Sequence, residues 1–535
     1  MKKSLLLLLL CTVIAIIAGA QQKYFRVQIF ATDKALEKLA EKGIALDHGE
    51  YKKDNYFISD FSEQELNIIK ESKLSYKVLI NDLSAYYVKR SRESIASAEE
   101  TEAPLAACPN FKTPKNFKLG SMAGFYTYDQ LMATLDTMRQ KFPKLISLKQ
   151  IVSSTLTTTE GRPLYFVKIS NKPNINQQKP QILYTALHHA REPESATQLI
   201  YYMWYLLENY TKIPQVKNLI DSTEMYFIPC VNPDGYIYNE TTNPNGGGLW
   251  RKNRRNNGGG SYGVDLNRNY GYEWGYDNIG SSPSTFSDTY RGPSAFSEPE
   301  TQMLREFSNQ HQFLFALNNH SYSNVIPIPF GYKSNTLTPD SVAYNVFCSR
   351  MVQCNGFGYG TPNQTVGYTA NGTSDDWMYA EQTSKDKIFA FSPETGSYTD
   401  GFWPPVNRIV PLSKANVDMN LSAVNFVKQF GYSNLRNNSI TKALILKNNA
   451  VTVLQTSPNP CGNYTYINFK TTAEVTQSLQ IKISNASGRV LKTVSVNPQQ
   501  QRVYVNTSDL QNGIYYYSIG NGKYQSALSK LVVIK

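Results

Sequence analysis

A chain of 535 residues is too long for one ordinary core, so two or three domains are expected. With 41% hydrophobic and 18% charged residues, the composition excludes a disordered or collagen-like chain. The net charge is +12, but the basic residues are dispersed. The densest run, Arg251-Lys252-Asn253-Arg254-Arg255, lacks interleaved aromatics, so no nucleic-acid partner is expected.

Residues 1–20 read as a signal peptide. Lys2 and Lys3 precede the apolar run Leu5 to Ile17, and Ala18-Gly19-Ala20 offers a small-x-small cleavage site. No other segment is long and apolar enough to span a bilayer, so an exported, soluble, monomeric chain is expected. Apart from Cys11, five cysteines remain (Cys108, Cys230, Cys348, Cys354 and Cys461), an odd and scattered set that predicts no disulfide framework.

Residues 21–92 alternate strand-like stretches (Tyr24 to Phe30, Tyr56 to Ile58) with helix-like ones (Lys34 to Lys42, Glu63 to Ser72), as in a small α/β unit. A Ser-, Ala- and Glu-rich linker over 93–114 follows the basic stretch Lys89-Arg90-Ser91-Arg92, whose exposure would suit proteolytic release of the first block as a pro-segment. An ordinary accessory domain is the alternative. Residues 115–432 carry the strand-like runs Gln181 to Leu187, Glu224 to Val231, Phe313 to Leu317 and Lys387 to Phe391, separated by helical patterns such as Ser195 to Tyr210. This order predicts an α/β domain with a mixed sheet and helices on both faces. A second linker, 433–450, leads to residues 451–535, where Thr465 to Phe469, Leu479 to Ser484, Val490 to Val496 and Ile514 to Ile519 alternate. Turn signals at Asn485-Ala486-Ser487-Gly488, Asn512-Gly513 and Gly520-Asn521-Gly522 separate them, predicting a small β-sandwich.

The chain has only five histidines. His48 and His311 have no acidic partner at ligand spacing. His188-His189-Ala190-Arg191-Glu192 directly follows a strand and precedes a helix, and His320 directly follows the strand Phe313 to Leu317. Two ligands in one loop and a third at a distant strand end suit an open zinc site, which keeps one position for water. Open α/β sheets place ligands at the carboxyl ends of their strands, where the Asn232-Pro233-Asp234-Gly235 turn and Glu394 also fall.

These stretches, with Trp250-Arg251-Lys252, Gly263 to Asn269, His320-Ser321-Tyr322 and Tyr368 to Trp377, resemble the zinc carboxypeptidases of the carboxypeptidase A and B type. The resemblance implies one Zn2+ held by His189, Glu192 and His320, with His188 a neighbour. It implies Glu394 as general base and Arg251 as the oxyanion stabiliser. Asn267, Arg268 and Tyr368 would grip the terminal carboxylate of a peptide or protein substrate, and Arg191 would contact the peptide further upstream. Here Ser392-Pro393 precedes Glu394, a departure that a strand end or edge can accommodate; the rival acid Glu381 lies in a polar, helix-like run. In the family, the residue before the Asp-Trp pair lines the pocket for the departing side chain. Asp375 at that position implies a preference for C-terminal Lys or Arg.

The same scaffold also hosts enzymes that cut amide bonds in cell-wall peptides, and a catalytically dead adhesin is a rival of another class. Ser457-Pro458-Asn459-Pro460, Leu510 to Tyr516 and the closing Lys530 to Lys535 resemble type IX secretion sorting domains. That implies the outer-membrane secretion machinery as a partner and a secreted or cell-surface location.

Overall fold

The computed structural model describes residues 22–96, 108–435, 451–472, 475–485, 490–521, 524, 526 and 529–535. The signal peptide, half of the first linker, most of the second, and the turns at Ala486 to Gly488 and Gly522 lie outside the described residues.

The first unit has strands β1 (Tyr24–Phe30), β2 (Glu50–Lys52), β3 (Tyr56–Ser62) and β4 (Ser75–Ile80), and helices α1 (Asp33–Glu41), α2 (Glu63–Glu71) and α3 (Leu83–Ala96). The strands form an antiparallel sheet in the order β2-β3-β1-β4. Ser62 and Glu65 close a reciprocal capping box that ends β3 and starts α2 within one residue. Leu36 and Leu39 of α1 and Leu66 and Ile69 of α2 pack on Val27 and Ile29, and Tyr368 and Ala370 from far along the chain join that core. A buried ion pair, Arg26 Nε to Asp60 Oδ1 at 2.6 Å, is bidentate and shared with the Tyr87 hydroxyl. Helix α3 runs through Lys89 to Arg92, which the sequence had suggested as the exposed mouth of a linker. The reason is tertiary: the Arg90 guanidinium donates to the carbonyls of Thr399, Asp400 and Trp403 at 2.5–2.7 Å, holding the segment against the next unit.

The central sheet contains β5 (Gln150–Ile151), β6 (Tyr165–Ile169), β7 (Gln181–Ala186), β8 (Glu224–Ile228), β9 (Phe313–Asn319) and β10 (Phe389–Phe391), in the order β10-β9-β7-β8-β6-β5. The four strands β10, β9, β7 and β8 are parallel; at one edge β6 runs antiparallel to β8, and β5 antiparallel to β6. The sheet is therefore mixed, as the sequence predicted. Strands β7, β8 and β9 are buried along their whole length, which explains their continuous apolar reading. Tyr184 and Phe315 face one layer, with helix α4 (Pro193–Asn209) and the C-terminal helix Val417–Leu435. Leu183 and Ala316 face the opposite layer, with α5 (Pro299–Gln310) and α6 (Ser374–Ala380); α7 (Val406–Ala415) lies in the first layer. Period-two alternation thus feeds two cores.

A disulfide joins Cys108 to Cys354, while Cys230, Cys348 and Cys461 are free and buried. One bond closing over 246 positions beside three free thiols is a single cross-link and not a framework, and no spacing rule covers such a distance. The C-terminal unit is two antiparallel sheets, β11 (Val451–Ser457), β12 (Tyr464–Thr471) and β15 (Arg502–Asn506) in one, and β13 (Leu479–Ser484), β14 (Val490–Val496), β16 (Gly513–Gly520) and β17 (Ser529–Val533) in the other. They enclose a separate core around Ile467, Phe469, Ile481 and Tyr517. No helix among the described residues is long and apolar enough to cross a membrane.

Candidate active site

The strand order reverses at β7: the chain moves to β8 on one side and later to β9 on the other. Such a switch point opens a crevice at the carboxyl ends of the strands. At the end of β7, Leu187 is held at φ 54, a left-handed conformation costing on the order of 1–3 kcal/mol for a bulky residue. The sharp turn sends two adjacent histidines apart. His188 turns to the Tyr270 hydroxyl at 2.9 Å, whereas His189 turns into the crevice. Glu192 then occupies the N-cap of α4, with Pro193 opening the helix.

His189 directs Nδ1 to Glu192 Oε1 at 2.7 Å, and His320, just beyond β9, directs Nδ1 to Glu192 Oε2 at 2.9 Å. Burial disfavours the Glu192 carboxylate, but the two imidazoles outweigh it and hold its pKa well below the usual range. Two buried imidazole nitrogens converging on one buried carboxylate are the donor set of a zinc site. The far nitrogen of His189 lies 3.1 Å from Asp265 Oδ1, the outer partner that commonly orients a ligating histidine. The residues therefore fit zinc. Glu394 joins them from the end of β10. Its N–H donates to Val325 O at 2.9 Å, and Pro393 O accepts from the His320 N–H at 2.8 Å, so the loops after β9 and β10 are laced together. β10 is an edge strand of the sheet, which is how Ser392-Pro393 is tolerated. Glu394 Oε2 is buried without a hydrogen-bond partner.

Across the crevice lie the guanidinium groups. Arg251 donates through Nε to Asp265 Oδ2 at 3.0 Å. Arg268 donates to Gly280 O at 2.5 Å and to the Tyr368 hydroxyl at 3.1 Å. Gly372 sits at φ 70, and a Cβ there would lie 2.4 Å from Arg268 O, so the Tyr368 loop approaches this closely only with glycine. Asn267 Oδ1 accepts from the Ser374 N–H at 2.9 Å, and its amide nitrogen faces His320 Nε2 at 3.4 Å. Arg191 stands apart, stacked over Phe402 and 3.4 Å from Asp288.

Arg268, Tyr368, Asp375, Asp376 and Glu394 line one small cavity of about 60 Å³. Asp375 accepts from Asn318 Nδ2 at 2.7 Å and from the Ser392 hydroxyl at 2.5 Å, and burial pushes its pKa up to about 6. Asp376 is committed to the N–H groups of Gly331 and Tyr332 at 2.9 and 3.0 Å. Glu381 is elsewhere, bound to Thr383 and Ser384.

Three participants escaped the sequence reading. Asp265 lay inside the quoted Gly263 to Asn269 stretch but had no assigned role. Asp47 and His48, in the loop between α1 and β2, reach into the crevice from the first unit. Asp47 Oδ2 accepts from Arg251 at 2.5 Å and from Arg268 at 3.0 Å. Burial would raise its pKa, but Arg251 reverses the sign and holds it well below the usual carboxylate range. His48 has acidic neighbours after all: Nδ1 lies 2.9 Å from Asp47 Oδ1, and Nε2 lies 3.3 Å from Glu192 Oε1. One of its ring nitrogens lies with a ring nitrogen of His189 and a carboxylate oxygen of Glu192 in a trio within 4.8 Å that could hold a metal ion. His320 is outside that trio and meets it through Glu192. The expectation that His48 lacks acidic partners is thus corrected: one is its own neighbour Asp47, and the other, Glu192, comes from a distant loop.

Residues 131–419 match the family model described as zinc carboxypeptidase, and residues 456–535 match the secretion system C-terminal sorting domain. Zinc carboxypeptidase A 1 of Drosophila melanogaster is 33% identical over 362 residues, covering 65% of this chain and 78% of the relative. Carboxypeptidase A1 of Bos taurus is 28% identical over 348 residues, covering 64% and 76%. The crystal structure of thrombin activatable fibrinolysis inhibitor shares the fold, with a TM-score of 0.58 at 20% identity, covering 76% of this chain and 99% of that one. A metal-competent crevice at the switch point, on a span matching this family over more than half the chain, leads to one conclusion: the chain belongs to the zinc carboxypeptidase family, is a zinc metallocarboxypeptidase, and ends in a type IX secretion sorting domain.

Proposed function

We propose that this exported enzyme removes single residues from the C-termini of peptides and proteins, preferring Lys or Arg, with His189, Glu192 and His320 as the zinc ligands. The observation that carries the reading is the convergence of His189, His320 and Glu394 from the ends of β7, β9 and β10 opposite a wall of arginines. Bound zinc would supply Lewis-acid polarisation of the scissile carbonyl and activation of the attacking water. Glu394 takes a proton from that water and returns it to the leaving amine. Arg251, already buried and oriented by Asp265, stabilises the oxyanion. Arg268 and Tyr368, joined at 3.1 Å, bind the substrate's terminal carboxylate with Asn267, while Arg191 meets the peptide upstream. Asp375 at the cavity receives the departing basic side chain.

Residues 21–92 are read as an inhibitory pro-segment, because the Asp47 carboxylate takes the guanidinium groups that a substrate terminus would need. The proposed reading puts the signal peptide at 1–20, the catalytic unit at 115–432 and the sorting unit at 451–535. The test is mass-spectrometric sequencing of products from paired peptides that end in Arg as the free acid or the amide. The reading expects loss of one residue from the free acid alone, stopped by a chelator. Equal cleavage of the amide, or internal cleavage, would refute it.

A further inference from the structure

His48 does more than lie near the crevice. Asp47 fixes its Nδ1 at 2.9 Å, which turns Nε2 inward, 3.3 Å from Glu192 Oε1 and 3.4 Å from Glu394 Oε2. The residue is 2% exposed, and Nε2 has hydrogen-bond geometry to neither carboxylate. A buried imidazole nitrogen ordinarily has a partner. One ring nitrogen held by a carboxylate and the other directed at a cluster of metal donors is the arrangement of a ligating histidine. The spacing agrees. Donors about 2.0–2.1 Å from one tetrahedral zinc stand roughly 3.3–3.4 Å apart, the separation seen between His48 Nε2 and Glu192 Oε1.

We infer that His48 is a further ligand of the zinc while the first unit remains attached, closing the coordination position that catalysis needs open. The inference rests on the ligand assignment proposed above. Two adjacent residues then block the site in different ways: Asp47 occupies the guanidinium groups, and His48 caps the metal. A site closed by protein donors has the character of a structural zinc site, and it becomes catalytic when one donor leaves. The ring is wedged between Phe402 and Tyr322, at centroid distances of 5.1 and 5.7 Å, so it is held in place without the metal's help.

The test is zinc-edge X-ray absorption fine structure on the full uncleaved chain, which counts imidazoles around the metal. Three are expected in the wild type and two in His48→Ala and His48→Gln. Zinc transfer to a competing chelator should also be about tenfold or more faster in both variants. Two imidazoles in the wild type would overturn the inference while leaving the catalytic site standing, and that count needs no variant to fold. Zinc retained unchanged in His189→Ala and His320→Ala would instead overturn the ligand assignment, and this inference with it.

Discussion

Replacing Asp375 with asparagine removes a charge and keeps the shape. The new side chain can still accept from Asn318 and can donate to the Ser392 hydroxyl, the two contacts now at 2.7 and 2.5 Å. What it loses is attraction for an incoming cation. Two charges about 4 Å apart at an effective dielectric near 20 attract by about 4 kcal/mol, and some of that is offset by desolvating the substrate. At about 1.4 kcal/mol per tenfold, kcat/KM for C-terminal Arg should fall roughly 10²- to 10³-fold. That for C-terminal Phe should hold or rise, since an apolar side chain no longer meets a buried charge. The assay is release of Arg and Phe from otherwise identical peptides by the enzyme freed of its first unit. Asp376→Asn is the control: its carboxylate serves the Gly331 and Tyr332 amides, so stability should fall with the Arg-to-Phe ratio unchanged. An unchanged ratio in Asp375→Asn, or a collapsed ratio in Asp376→Asn, would refute the pocket argument.

Three further outcomes follow from the same geometry. Because burial lifts Asp375 to about 6, the group is charged above that pH and neutral below it, so the Arg-to-Phe ratio should drop as pH falls through about 6; a flat ratio between pH 5 and 8 would contradict this. Asp265→Asn removes the outer partner of His189, 3.1 Å away, and should weaken zinc binding about 10- to 100-fold in chelator competition. Asp60→Asn leaves the buried Arg26 charge unpaired and should cost about 3–5 kcal/mol in denaturant unfolding of the uncleaved chain.

Much of the central sheet was legible because its strands are buried on both faces and read as apolar runs between turn signals, as Gln181 to Ala186 does. The loops that follow those strands carry the candidate site, so His189, Glu192, His320 and Glu394 stood out as candidates by their position after a strand. Contacts made across long stretches of chain left no local trace. Asp47 meets Arg251 across 204 positions, and although Asp47 sits beside His48, the facing Glu192 and Glu394 are far along the chain. The same holds for Cys108 and Cys354, and for Arg90, whose carbonyl partners lie 309 or more positions away. Asp265 was in view but silent, since an outer-sphere carboxylate is recognised only once its histidine's orientation is known.

The most direct test of the account is Glu394→Gln in the enzyme freed of its first unit, with zinc content and release of C-terminal Arg measured on the same sample. The account predicts full zinc occupancy and a loss of at least 10²-fold in kcat with KM little changed, as expected of a general base. Near-wild-type turnover by a zinc-loaded Glu394→Gln enzyme would contradict it.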